Sequence, residues 1–258
     1  MRYAVILLAA VLILSTSIAY AHWGGNVDIE IVSDRGYRLP TLPFKDLEKD
    51  STHIVKRYLE ARRGENYSIV VRNNMPERIG VVIAVDGRNI INGKKSFLKN
   101  SETMYIVNPY GSTKLEGWRT DQNTVHRFYF TDLKDSYAMR AFEDTSAMGV
   151  IAVAIFRGKD RPRIFYEREI HKEKAAPFGR LKNFESGAAG TGFGDERYSP
   201  VIKVEFEPEG NPFKKILVKY EWRESLCKKG LLKCEPEERN RLWDEDKYAP
   251  YPPGYRDP

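Results

Sequence analysis

The sequence predicts a mainly β protein, an antiparallel sandwich, and three observations carry that expectation. Short stretches alternate apolar and polar residues with the period of a strand that wets one face, as in Val27-Asp28-Ile29-Glu30-Ile31-Val32. Turn residues punctuate such stretches at the roughly 8–12-residue spacing usual for all-β domains. Two further runs, Val81-Val82-Ile83-Ala84-Val85 and Gly149-Val150-Ile151-Ala152-Val153-Ala154-Ile155-Phe156, are apolar or glycine throughout, which marks strands covered on both faces.

Taken in order, the strand at residues 27–32 ends at Asp34-Arg35-Gly36, and residues 37–49, with Pro40 and Pro43, read as a surface loop. Strand character returns at residues 54–61; Arg63-Gly64-Glu65-Asn66 is a turn, so residues 58–72 read as a hairpin. Asn73-Asn74-Met75-Pro76 turns the chain again before the first apolar run. Residues 104–107, 112–118 and 125–130 are strands between the two runs, and in Arg127-Phe128-Tyr129-Phe130 the two phenylalanines share a face. Residues 132–142 suit a helical turn or two, and residues 163–169 a last strand of the sandwich. This pattern suggests an immunoglobulin-like arrangement, with nothing to fix the strand order.

The remaining chain reads as attachments. Residues 171–199, poor in apolar residues and ending in glycines, are expected to be a linker or mobile loop. Residues 201–206 and 215–222 form a second expected hairpin, followed by short helices at 224–226 and 236–243, the latter opened by Pro236. Residues 248–258 hold too much proline for regular structure. The expected organisation is therefore a leader at 1–21, a sandwich at 22–170, the linker, a hairpin with helices at 200–247 packed over the sandwich, and the tail. The region beyond residue 170 is the expected cover for the two apolar runs.

The leader rests on Arg2, an unbroken apolar run at residues 4–14 and the small-x-small triplet Ala19-Tyr20-Ala21, the pattern of a cleaved secretory signal with His22 as the new terminus. The run is short of the roughly 20 residues a membrane span needs, so no stable span is expected after cleavage. Export places the protein in the periplasm or outside the cell, where Cys227 and Cys234, the only cysteines, are expected to form a disulfide across Lys228-Lys229-Gly230. A net charge of +6, with basic and acidic residues mixed along the chain, argues for a solvated surface and against a nucleic-acid partner.

Ala84-Val85-Asp86-Gly87-Arg88-Asn89, Gly117-Trp118-Arg119-Thr120, Arg127-Phe128-Tyr129-Phe130-Thr131-Asp132, Gly190-Thr191-Gly192-Phe193-Gly194 and Lys219-Tyr220-Glu221-Trp222-Arg223-Glu224 together resemble a family of uncharacterised exported proteins of Gram-negative bacteria. The resemblance spans most of the chain after residue 21 and implies export and one integrated architecture. It carries over no functional residues.

Chemistry-bearing patterns are few. Gly190-Thr191-Gly192-Phe193-Gly194-Asp195 lacks the helix that a phosphate-cradling loop requires, and no nucleophile elbow or zinc-protease helix occurs. Paired carboxylates drawn from the 36 acids would suit a hydrolase, with no pair singled out. A terminal His22 offers copper a ring nitrogen and an amine, resembling the histidine brace of lytic polysaccharide monooxygenases; His53, His126 and His171 are the candidate second ligands. Strand-end loops remain: Asp86 and Arg88 in one, Trp118 and Arg119 in another, which would bind an envelope protein or polysaccharide if one end of the sandwich carries both. The functional expectation is a nonenzymatic binding or assembly module of the bacterial envelope. A copper protein and a hydrolase are the alternatives, and the oligomeric state is open.

Overall fold

A computed structural model describes residues 26–159 and 187–234. Its strands are β1 (Val27–Ser33), β2 (Thr41–Lys49), β3 (Thr52–Ala61), β4 (Asn66–Asn73), β5 (Ile79–Val85), β6 (Arg88–Asn89), β7 (Tyr105–Val107), β8 (Ser112–Leu115), β9 (Gly117–Arg119), β10 (Thr124–Asp132), β11 (Val150–Arg157), β12 (Ala189–Thr191), β13 (Glu196–Tyr198) and β14 (Lys214–Trp222). Two short helices, α1 (Tyr137–Phe142) and α2 (Arg223–Lys228), complete it.

The strands form two sheets. The first runs β1-β4-β10-β12, with β8 beside β4 and both β9 and β13 beside β10; the second runs β2-β3-β14-β11-β5-β6, with β7 beside β5. Their inner faces share one core, to which Ile29, Ile69 and Phe128 contribute from the first sheet and Leu59, Val153 and Val218 from the second. Tyr67 stacks on Phe128 and Phe130, with ring centroids 5.4 and 4.3 Å apart. The alternation of Arg127-Phe128-Tyr129-Phe130 is realised: both phenylalanines are fully buried and their neighbours are not.

The mainly β sandwich is as expected, but its connections differ in four places. Residues 41–49 form an edge strand where a loop was expected. Pro43 is tolerated there because an edge leaves one row of backbone groups unpaired, and the register shifts between Pro43 and Lys45. β3 and β4 are not a hairpin, for the turn at residues 62–65 carries the chain from one sheet to the other. Leu59 and Tyr67 on either side of that turn are both buried in the shared core, so period-two burial is met without pairing.

The second expected hairpin is also absent. Residues 201–206 are not a strand, whereas β14 lies inside the second sheet, antiparallel to β11 and parallel to β3. Residues 214–222 of the late chain thus supply an inner strand of the sandwich. The parallel pair makes the second sheet mixed, where a wholly antiparallel, immunoglobulin-like sandwich is expected from the sequence. Residues 189–191 and 196–198, placed by the sequence in a mobile linker, are strands against β10.

The two apolar runs are the neighbouring strands β5 and β11, and β5 is buried at every position. On their outer face Val82, Ala154 and Phe156 are covered by Leu98 and Met104 from the loop between β6 and β7. The ring of Phe206 reaches over Gly80 and Gly158, where an added methyl group would collide with it at Gly80. Among the described residues the cover therefore comes from Leu98 and Met104 and, beyond residue 170, from Phe206.

Candidate functional site

β3, β14 and β5 run in the same direction, so their C-terminal ends lie at one end of the sandwich. That end holds Asp86-Gly87, with φ of 49° and 78°, a tight turn that links β5 to β6. The Asp86 carboxylate is completely buried. It accepts hydrogen bonds from the Gly149 N–H (2.7 Å), the Thr191 N–H (2.7 Å) and the Tyr220 hydroxyl (2.5 Å). Because Tyr220 donates to Asp86, its oxygen is left to accept from Thr191 Oγ1 at 2.7 Å, and Thr191 in turn to accept from the Tyr67 hydroxyl at 2.8 Å. Tyr67 and Thr191 belong to the first sheet and Tyr220 to the second, so this polar chain ties the sheets together inside the core. Burial is the main cause that pushes the Asp86 pKa up to about 6, against the three hydrogen bonds and nearby Lys219.

The other three loop residues are likewise engaged within the protein. Arg88 pairs with Asp144 at 2.6 Å and lies 4.1 Å over the Phe142 ring. Trp118 is 2% exposed, donates from Nε1 to the Gly192 carbonyl at 2.9 Å, and packs edge-on against Phe128. Arg119 donates to the Tyr105 hydroxyl and to the carbonyls of Asp121, Gln122 and Ser199. The structure does bring the two loops together, since the Arg119 N–H bonds to the Ile90 carbonyl at 2.8 Å. In this arrangement the two loops are braced against each other, with their polar groups turned inward.

A more open site lies at the same end, where the loop after β1 meets the turn between β3 and β4. Ser33, Asp34, Arg35, Tyr37, Arg62, Arg63, Gly64, Glu65 and Asn66 line a cleft of about 350 Å³. Asp34 is ion-paired with Arg127. Arg63 lies 4.3 Å over the Trp222 ring and 3.5 Å from Asp132, and both of those residues also belong to this end. Among the described residues, Arg35 and Arg62 have no acid partner. The Glu65 side chain accepts from the hydroxyls of Ser33 and Tyr37 on Oε1, while Oε2 is buried with no hydrogen-bond partner among the described residues. The cleft is therefore lined by up to three guanidinium groups and by one fixed carboxylate whose buried Oε2 lacks a donor. Sequence reading took Arg63-Gly64-Glu65-Asn66 only as a turn, because charges in turns are ordinarily solvated, and no local signal joins them to Arg35.

The two described histidines lie in different sheets. His53 is in β3 of the second sheet and His126 in β10 of the first, where its Nδ1 meets the Gly194 carbonyl at 2.9 Å and its ring stacks on Phe193. His22 and His171 lie outside the described residues, as do the leader, the expected strand at 163–169, the second expected helix and the tail. Among the described residues no three metal-ligating side chains converge. The expected disulfide joins Cys227 and Cys234, with Cα atoms 5.7 Å apart, and closes the chain after α2 around Gly230. No helix among the described residues is long and apolar enough to cross a membrane.

The chain matches no family model, no curated protein and no solved structure.

Proposed function

We propose that this is an exported, nonenzymatic recognition module of the bacterial envelope, and that it holds an anionic group of an envelope component in the cleft between the β1 loop and the β3–β4 turn. The observation that carries the reading is the set Arg35, Arg62 and Arg63 around one opening, with two of the three free of acid partners among the described residues. Guanidinium forks suit carboxylates and phosphates, and they remain charged at any physiological pH. The disulfide is compatible with an oxidising compartment, and the secretory pattern of residues 1–21 supports export.

Binding is favoured over turnover by the state of the cleft's acids. Glycoside hydrolysis uses two cooperating carboxyl groups. Here Asp34 is tied to Arg127, which leaves Glu65 as the available one. Trp118 and Arg119, expected at the contact surface, serve this reading as the scaffold behind it.

Each exposed ion pair contributes only about 0.2–1 kcal/mol, so useful affinity needs a repeating anionic partner that engages the cleft with several groups or several copies. The test is calorimetric titration of the full-length secreted protein with an acidic envelope polysaccharide. Saturable binding that weakens at least fivefold in Arg62→Ala/Arg63→Ala is expected. Equal binding by the double variant would remove the cleft from the function.

A further inference from the structure

We propose that the ligand of this cleft is an acidic saccharide, a uronic-acid sugar that gives its carboxylate to the arginines and a ring hydroxyl to Glu65. This deepens the reading above and rests on it. The arginines alone would accept any anion, so the class must be decided by what lies beside them.

Glu65 is the deciding group. A carboxylate set among arginines opposes a simple anion, yet it is fixed in place: Ser33 donates to Oε1 at 2.9 Å and the Tyr37 hydroxyl donates to the same oxygen. Oε2 is left buried and unpartnered among the described residues. Such an oxygen gains from a ligand hydroxyl, because a buried acceptor without a donor is costly. The best-matched ligand therefore carries negative charge and hydroxyl donors on one small frame. A phosphate chain offers no such donors at physiological pH, and a neutral sugar offers no charge.

A peptide fits less well. Extended peptides are gripped through the backbone of an open sheet edge. Around this cleft the N–H groups of Ser33, Asp34, Gly36, Gly64 and Glu65 all bond to carbonyls of the protein itself. Those five donors are closed to a peptide backbone, and the Tyr37 ring, 37% exposed, adds an apolar face against which a sugar ring can lie.

Glu65→Gln separates the possibilities by the sign of its effect. Its amide oxygen can keep the bonds from Ser33 and Tyr37, but an NH₂ group replaces Oε2 as a donor, and the cleft loses one negative charge. If a saccharide hydroxyl binds Oε2, oligogalacturonate affinity falls about tenfold. If charge alone holds the ligand, affinity rises about threefold. The titrations use full-length protein with oligogalacturonate, inorganic tripolyphosphate, a poly-glutamate peptide and neutral dextran, and each variant's thermal midpoint is checked first.

The expected result is that Glu65→Gln weakens oligogalacturonate and tightens tripolyphosphate, with no measurable dextran binding. Oligogalacturonate held as tightly or more tightly by Glu65→Gln overturns the saccharide assignment while leaving the arginine cleft standing. Poly-glutamate that matches oligogalacturonate in affinity and in its loss on Glu65→Gln overturns it in favour of an acidic peptide. Indifference of every ligand to Arg62→Ala, an exposed side chain whose removal leaves the fold alone, brings down both the assignment and the reading beneath it. Should Glu65→Gln prove unstable, Tyr37→Phe removes one donor that orients the carboxylate, and a selective loss of oligogalacturonate over tripolyphosphate is then the expected sign.

Discussion

Asp86 shows what a single side chain decides here. Its pKa, held at about 6 by burial, lies above the ordinary carboxylate value of 3.8. The folded protein therefore binds this proton more tightly than the unfolded chain, and the stability linked to it is fully present below about pH 4 and lost as pH rises through about 6. At 1.36 kcal/mol per pH unit the shift corresponds to about 3 kcal/mol. Asp86→Ala leaves the donors of Gly149, Thr191 and Tyr220 unpaired and should cost at least about 2 kcal/mol at neutral pH. The gap between wild type and variant should narrow by about 2 kcal/mol from pH 4 to pH 6.5 in denaturant titrations, and a pH-independent gap would show that Asp86 titrates normally. Gly117 makes a separate, steric demand: an added Cβ would sit 2.0 Å from the backbone oxygen of His126. Because backbone cannot step aside as a side chain can, Gly117→Ala should lower the thermal midpoint well beyond the shift of an ordinary surface substitution. The sequence places Asp86 and Trp118 in strand-end loops, as candidate contact residues. It could not show the polar chain, whose members Tyr67, Asp86, Thr191 and Tyr220 share no local pattern and meet only when both sheets close.

At the level of strands and loops, what the sequence revealed was periodicity and what it hid was pairing. The apolar runs were legible as doubly covered strands because both faces must escape water, and burial of β5 at every position bears this out. Their cover is shared, among the described residues, between Leu98 and Met104 and, beyond residue 170, Phe206, since any apolar side chain of suitable length can do that work. Alternation says which face a strand buries, but it is silent on which edge it shares, so β3 and β4 were read as partners and β14 as half of a hairpin. Phe206 offers a test of the cover that was found. Its ring lies against Gly80 and Gly158, so Phe206→Ala should destabilise the protein by about 1–3 kcal/mol, less than a fully enclosed phenylalanine because part of the ring is wet. An unchanged unfolding midpoint would mean that the outer face of β5 and β11 is covered by Leu98 and Met104 alone. The disulfide works over a shorter range: closing so small a loop contributes about 2.5 kcal/mol in the chain-entropy account. Replacing Cys227 and Cys234 with serine should therefore loosen hydrogen exchange in α2 while β14 keeps its protection.

For the molecule as a whole, the order of the strands governs how it comes apart. The chain places β1 in the first sheet, β2 and β3 in the second, β4 in the first, β5 to β7 in the second, β8 to β10 in the first, β11 in the second, β12 and β13 in the first, and β14 in the second. Neither sheet is made from a continuous stretch, and no segment buries its apolar face without partners that arrive from far along the sequence. Pairings such as β3 with β14 bring together residues on the order of 160 positions apart, the kind of contact that slows folding because its loop must close before it is rewarded. The same interleaving, with the Tyr67–Thr191–Tyr220–Asp86 chain crossing between the sheets, removes any cheap way to open one sheet and keep the other. Native-state hydrogen exchange should therefore give the central amides of β4 and β10 the same opening free energy as those of β11 and β14, equal to the global unfolding free energy from denaturant. Asp86→Ala should lower all of them together. If amides of one sheet exchange through an opening several kcal/mol cheaper than those of the other, the sheets are separate cooperative units and the buried polar chain does not couple them.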